Sequence, residues 1–502
     1  MKMELNKCKV QILSRNSFAY DILIFKLNRD LEYTPVTLYW NGILSVLTDA
    51  GYAKRKVGNS LIYVHVNGGI LKEVQPHDMR EYLHRYIDAY FLGLSFYHNK
   101  TKYDVPYNII KEIFLKGSSN IFNKNWLEHL RFSNEPILRD KEDSIYFAFK
   151  NCLIIAKNNG YEIKDWKSVK GLCVWESQLI NRDFTFSDDT PSGHFYKFLQ
   201  NVTNYDNQRW KSLKSAIGYL LHFYFQESEG QAVIFYDEVV TDSKNPMGGT
   251  GKGVIMSALK TLRCVAKIDG KHFNPDNRFC WEKVDSSTQI VWIDDVKPNF
   301  DFSVLHSNLT DGWTVEAKHR SQIQIPPGDS PKTAISSNSA IDNGGSTNKR
   351  RQFIIELSDY YSKLIKNGTE QPIKDYHGCL FFSKDWDSDE WNRFYSLMIS
   401  CASEYLQHGL VYSPSINLER NLLQKNTDEE FIAWAKYQDF IMDKKYETSL
   451  MFKDYIDTAG TGVQIGQRKF TNYLQAYAKS KNWDFQRVQS NGRTYFLFVK
   501  RI

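Results

Sequence analysis

Lys252 carries the most specific chemistry in the chain. It lies in Asn245-Pro246-Met247-Gly248-Gly249-Thr250-Gly251-Lys252-Gly253-Val254, where four glycines surround the only side-chain cation. Glycines let backbone N–H groups wrap a phosphate while the ammonium reaches its outer oxygens, and a helix predicted from Val254 to Leu262 would aim its positive end at the same anion. The strict phosphate-loop pattern GxxxxGK[ST] is missed twice: Pro246 replaces the first glycine, and Gly253 replaces the hydroxyl residue that normally serves Mg²⁺. Alone, the segment reads equally well as a glycine-rich surface turn.

Three further groups follow at regular intervals. Asp294 and Asp295 close the apolar run Gln289-Ile290-Val291-Trp292-Ile293, forty-two residues after Lys252 in the case of Asp294. A buried parallel strand would deliver such a pair to a sheet edge, one acid for Mg²⁺ and one to polarise water. Asn338 ends Thr333-Ala334-Ile335-Ser336-Ser337, forty-four residues further on, where an amide can orient an attacking water. Arg350 and Arg351 follow at the start of another apolar run, where a guanidinium can act on a neighbouring subunit's nucleotide. Individually these are also what loops, turns and solvated strand ends carry.

The elements that must position these groups are legible in outline. Ala232 to Tyr236 is a β-rich lead-in to the loop, preceded by an apolar-periodic helical stretch from Phe195 to Phe225. Residues 1–130 read as mixed α/β. Ser60 to Val66 and Ile70 to Val74 flank a turn at Asn67-Gly68-Gly69, and the next helix has Asp78 and Glu81 at capping-box spacing, with Met79, Tyr82, Leu83, Tyr86, Ile87, Tyr90 and Phe91 on a buried face. Lys54-Arg55-Lys56 could touch phosphates, although a short basic run is ordinarily a solvated face. Residues 131–230 read as mainly helical, as do those beyond about 365. At the C-terminus, helices Phe452 to Thr458 and Gln467 to Ser480 precede strands Phe485 to Gln489 and Thr494 to Val499 around Asn491-Gly492. Helix, helix, hairpin is the outline of a winged helix, with Arg468, Lys469 and Arg493 as candidate DNA contacts, although winged helices also bind proteins.

Phosphate loop, acid pair, polar strand end and arginine, in this order within about a hundred residues, resemble the superfamily 3 helicases. Thr314-Val315-Glu316-Ala317-Lys318-His319-Arg320-Ser321-Gln322, then Pro326-Pro327 and Ser336-Ser337-Asn338, is similar to the papillomavirus initiator helicase. Phe195 to Tyr224 is similar to the collar of phage and poxvirus-type primase-helicases. The resemblance spans roughly residues 195–360. It implies an AAA+ P-loop ATPase core at 231–365 preceded by a helical collar within 131–230; with the elements read above, the chain is expected to be a multidomain α/β protein with a mixed α/β N-terminal domain at 1–130 of unassigned role, a helical lid or linker at 366–440 and a winged-helix-like domain at 441–502. It further implies ATP held by Gly248, Gly249, Thr250, Gly251, Lys252 and Gly253, Mg²⁺ on Asp294, Asp295 as the water-activating acid, Asn338 as γ-phosphate sensor, and Arg351, or Arg350, as the finger acting in trans. Lys318, His319 and Arg320 become contacts to single-stranded DNA at the tip of a channel hairpin. The implied activity is that of a hexameric, ATP-driven DNA helicase replicating a phage or mobile element. The alternative is a DNA-binding initiator that uses ATP as an assembly switch with weak hydrolysis. Residues 1–130 show no convincing acidic metal-binding pattern of the kind a primase needs.

Composition sets the outer limits. The 502 residues carry a net charge of +6 and 42% hydrophobic content, enough for several buried cores and too little charge to imply nucleic acid without a local basic surface. The most apolar stretch, Ser215 to Phe225, is too short to span a bilayer. The first residues lack an apolar signal region and the seven cysteines form no metal-ligand pair, so a reduced, cytoplasmic protein is expected.

Overall fold

The computed structural model describes residues 10–500 other than 15, 31, 58–59, 94, 99, 105, 170, 226–229, 240–248, 299, 319–321, 339–340, 342–344, 461–463 and 482. It is a multidomain α/β structure with several separate sheets. Two compact units emerge, one comprising Met1–Leu138, Trp166–Leu179 and Ser321–Gln324, the other Arg139–Asp165, Ile180–Arg320 and Ile325–Ile502.

In the first unit, Ser60–Asn67 and Ile70–Val74 pair antiparallel around Gly68 and Gly69, both at positive φ, and Tyr52–Val57 and Val174–Trp175 complete the sheet. The following helix runs Pro76–Tyr90, and its capping box is formed by Gln75 and Asp78, three residues earlier than the expected Asp78 and Glu81, because Pro76 already fixes a helical φ. Met79, Leu83, Ile87 and Phe91 are completely buried, so the expected core stripe is present. Two of the three residues in the Lys54-Arg55-Lys56 run are spent internally: Lys54 donates to the Glu128 carbonyl and Arg55 to the carbonyls of Ser133 and Glu135.

The second unit is built on a five-stranded sheet. Its strands are β1 (Ala232–Asp237), β2 (Val265–Asp269), β3 (Ile290–Asp294), β4 (Lys332–Ser337) and β5 (Gln352–Leu357), in the spatial order β2-β3-β4-β1-β5 and all parallel. All six residues of β1 are buried, as a central strand covered on both faces requires. Truncating one of its large side chains would cost about 2–5 kcal/mol. Helix His194–Val202 packs Phe195, Phe198, Leu199 and Val202 into this core, and helices Asn207–Leu221 and Ser388–His408 cross closely because Gly218 has no Cβ to meet the Cys401 carbonyl.

Two expectations about organisation change. Residues 131–230 are not mainly helical before His194: Ser144–Ala148, Leu153–Lys157 and Gly160–Lys164 form an antiparallel meander, where short apolar runs separated by turns suit strands better than helices. The C-terminal unit also begins before residue 441, since Phe431 and Trp434 share its core with Tyr455, Phe470, Leu474, Phe496 and Phe498. In that unit helices Thr448–Ala459 and Gln467–Ser480 lead to strands Trp483–Ser490 and Arg493–Lys500, and the short strand Tyr446–Glu447 pairs with the last of these. Asn491 and Gly492 both take positive φ, as a two-residue hairpin turn demands. Among the described residues, no helix is long and apolar enough to cross a membrane.

Candidate functional site

Gly249 to Val254 lie where a parallel sheet directs ligands, beside the carboxyl ends of its strands. Gly249 and Gly251 hold φ of +102° and +107°, values that side-chain-bearing residues rarely adopt. A Cβ on Gly251 would also stand 2.7 Å from the Phe198 ring. The helix begins at Lys252 rather than Val254, with Gly251 as its left-handed cap, so the lysine sits in the first turn. Gly248 lies outside the described residues.

Sheet order explains which other groups arrive there. β4 lies between β1 and β3, so the ends of the loop strand, the acid strand and the polar strand are neighbours. They line one cavity of about 420 Å³ with Gly249, Thr250, Gly251, Lys252, Gly253, Asp294, Asp295, Ser336 and Asn338 in its wall, together with Tyr361, Pro372 and Ile373. Asp295 has a φ of +58°, a left-handed conformation that Asp tolerates better than most residues. Asn338 Nδ2 donates to Asp295 Oδ1 at 2.9 Å.

Ser336, a buried residue of β4 to which the sequence assigns no role, is the hub of this wall. Its hydroxyl accepts from Trp292 Nε1 at 3.2 Å and from the Asp295 backbone N–H at 3.0 Å, and donates to Asp294 Oδ1 at 2.6 Å. One donor and two acceptor positions are all that a hydroxyl has. Lys267 and Lys271 cap the remaining oxygens of Asp294 and Asp295, each at 2.7 Å. The hydrogen bond to Asp295 raises the Lys271 ammonium above its ordinary pKa. Behind the Tyr361 side of the cavity, the Tyr361 hydroxyl meets His377 Nε2 at 2.6 Å, and burial lowers His377 to about 4, which keeps it neutral.

A second residue that sequence reasoning missed is Asp237. This last residue of β1 is 2% exposed and takes hydrogen bonds from both Thr250 Oγ1 and Lys252 Nζ. Read along the chain, it looks like the first residue of an insertion between strand and loop.

Mg²⁺ usually takes one or two protein carboxylates and completes its shell with phosphate oxygens and water. Asp294 supplies that carboxylate once Lys267 is displaced from its Oδ2, and a Cβ on Gly253 would meet nothing within 4 Å, so there is room for a water where the usual hydroxyl is missing. The donor set fits the ion.

Arg350 and Arg351 are not brought to this cavity. Ala232 is opposite Gln352 in the register, which puts both arginines at the amino end of the sheet, about 20 Å from the loop at six residues of about 3.3 Å each. Arg350 is exposed, whereas Arg351 Nε is buried with no hydrogen-bond partner among the described residues. Lys318 is exposed between the strands Trp313–Val315 and Ile323–Ile325, and His319 and Arg320 lie outside the described residues. Arg468 and Lys469 are exposed on helix Gln467–Ser480, and Arg493 beside the turn pairs with Glu447 at 3.0 Å. On that helix Arg468, Asn472, Gln475 and Lys479 form one exposed stripe at helical spacing, opposite buried Phe470, Leu474, Tyr477 and Ala478.

No protein-family model and no curated protein matches the chain. Among solved structures, it is similar to the apo C-terminal region of NrS-1, at 11% identity and a TM-score of 0.39, covering 91% of this chain and 98% of that one. A second structure of that region, described as its A form, gives 14% identity and a TM-score of 0.33 over 71% of this chain and 96% of its own. Scores this low leave the fold to be judged from the sheet itself.

Proposed function

We propose that residues 231–365, which hold the five-stranded parallel sheet of the second unit, form an AAA+ ATPase core of superfamily 3 type, and that the protein uses ATP to drive movement along single-stranded DNA as an oligomeric ring during replication of a phage or mobile element. The observation that carries this reading is the single cavity joining Gly249–Gly253 and Lys252 to Asp294, Asp295, Ser336 and Asn338. A glycine loop and helix terminus for phosphates, a carboxylate for Mg²⁺ and an amide beside a second carboxylate form the set that phosphoryl transfer to water needs. Bound Mg²⁺ would neutralise charge on the phosphate oxygens. The protein's own part is positional: Lys252 reaches the outer phosphates, Asp295 takes a proton from the attacking water, and Asn338 holds Asp295 and that water in line.

Arg351 cannot serve the site of its own chain, and its position at the opposite edge of the sheet supports a role on a neighbouring subunit. The exposed Arg, Asn, Gln and Lys stripe supports duplex binding by the C-terminal unit, since these side chains pair with phosphates and with base edges in the major groove. The test is ATP hydrolysis with and without single-stranded DNA, together with a mass measurement in the presence of nucleotide. Hydrolysis stimulated by the strand in a ring-sized assembly supports the motor. Slow, unstimulated hydrolysis with tight duplex binding supports the assembly switch instead.

A further inference from the structure

Asp237 is unusual because, among the described residues, its side-chain hydrogen-bond partners are Thr250 and Lys252 of the glycine-rich loop. Its carboxylate is held among buried groups, with Thr250 at 2% exposure and the Lys252 side chain at 11%. The lysine expected to bind phosphate is therefore already neutralised by a carboxylate of its own chain. A triphosphate must take the ammonium away from Asp237. Doing so leaves Asp237 buried with, among the described residues, the Thr250 hydroxyl as its remaining side-chain partner, and separating a buried pair is costly because one charge is left uncompensated.

We propose that Asp237 is a positioning residue that recaptures Lys252 when the γ-phosphate is lost, and so sets the rate at which ADP leaves. The inference rests on the nucleotide reading of this cavity. The logic is a competition between phosphate oxygens and the Asp237 carboxylate for one ammonium. ATP offers β and γ oxygens and wins it, whereas ADP offers fewer oxygens and yields it back to the carboxylate. Each nucleotide thus binds more weakly than the loop alone would allow, and the loss falls harder on the product. An enzyme whose turnover is limited by product release gains from such a device.

The experiment uses the full-length protein and the isosteric variant Asp237→Asn, whose side-chain oxygen still accepts from Thr250 but carries no charge. Calorimetric titration with ADP and Mg²⁺ should show about tenfold tighter binding than wild type, with a smaller gain for ATP. Steady-state kcat and KM should fall together as release slows. A purely structural role predicts the opposite sign, since a damaged loop binds nucleotide more weakly. Unchanged or weaker ADP binding by folded Asp237→Asn overturns the proposal. Asp237→Ser, shorter and also uncharged, must shift affinity in the same direction. If neither variant folds, the carboxylate is a folding element and the proposal is rejected. Lys252→Ala separates the two levels. If that variant binds ATP as well as wild type, the nucleotide reading falls and this inference with it. If it loses binding while Asp237→Asn is unchanged, only the inference falls.

Discussion

Ser336→Ala tests the wall of the site at its hub. The substitution removes one oxygen and orphans the Trp292 indole N–H and the Asp295 backbone N–H, while Asp294 loses a donor. Ser336 is 1% exposed, so water does not readily replace it. An unsatisfied buried donor costs about 1–3 kcal/mol, so with two of them the unfolding free energy should fall by about 2–6 kcal/mol, seen as a lower urea midpoint at unchanged slope. The effect on turnover is expected to be larger than the effect on binding. The Asp295 N–H bond helps hold that residue at φ +58°, and releasing it lets the carboxylate drift. A displacement of about 1 Å at a catalytic group can cost about 100-fold. Steady-state ATP hydrolysis should therefore show kcat reduced about 100-fold and KM changed less than about threefold, because Gly249, Gly251 and Lys252 are untouched. A Ser336→Ala protein with wild-type midpoint and wild-type kcat would refute the hydrogen-bond account of the wall.

Other outcomes follow from the geometry of the loop, the sheet and the C-terminal unit. Gly251→Ala should abolish nucleotide binding, since it forces an L side chain to φ +107° at a cost of about 1–3 kcal/mol and drives its Cβ into Phe198, whereas Gly253→Ser, with nothing within 4 Å, should fold normally and lower the Mg²⁺ concentration needed for half-maximal hydrolysis. A serine at 253 that leaves the Mg²⁺ titration unmoved argues against the hydroxyl position assigned to it. Arg351→Ala mixed with Lys252→Ala should regain hydrolysis through interfaces that pair an intact loop with an intact finger, and no regain in proven mixed assemblies points to Arg350 or to a mechanism without rings. In the C-terminal unit, Asn472→Ala with Gln475→Ala should erase preference among duplex sequences, while Arg468→Ala should weaken all duplexes alike and reduce the salt slope by about 0.9; equal effects of both changes on every sequence would mean that the stripe reads no bases.

Much of this site was legible because parallel strands write themselves plainly. Buried on both faces, β1, β3 and β4 appear as short apolar runs, and their last residues must emerge at one sheet edge, which is how Lys252, Asp294, Asp295 and Asn338 could be grouped. Asp237 was not legible, since an acid that pairs with a lysine fifteen positions later looks like any polar residue ending a strand. Ser336 was hidden for a related reason: its importance lies in three partners on a neighbouring strand and turn, and adjacency between β3 and β4 is a property of sheet order rather than of spacing. The meander at 144–164 is not legible as strands because short apolar runs do not declare their period. The strand Tyr446–Glu447, at two residues, is too short to show any alternation, and the sharing of Phe431 and Trp434 with the C-terminal core is a long-range contact that no local pattern announces.

The central claim is that this cavity hydrolyses ATP, with Asp295 acting on the water and Asp294 on the metal. The most direct test is to measure nucleotide binding and turnover in the same preparation of Asp295→Asn, with Mg²⁺ and single-stranded DNA present. The account predicts that ATP binds with near wild-type affinity while turnover falls by at least about 100-fold, in keeping with the usual contribution of a positioned proton acceptor. Undiminished turnover by a folded Asp295→Asn protein would contradict it.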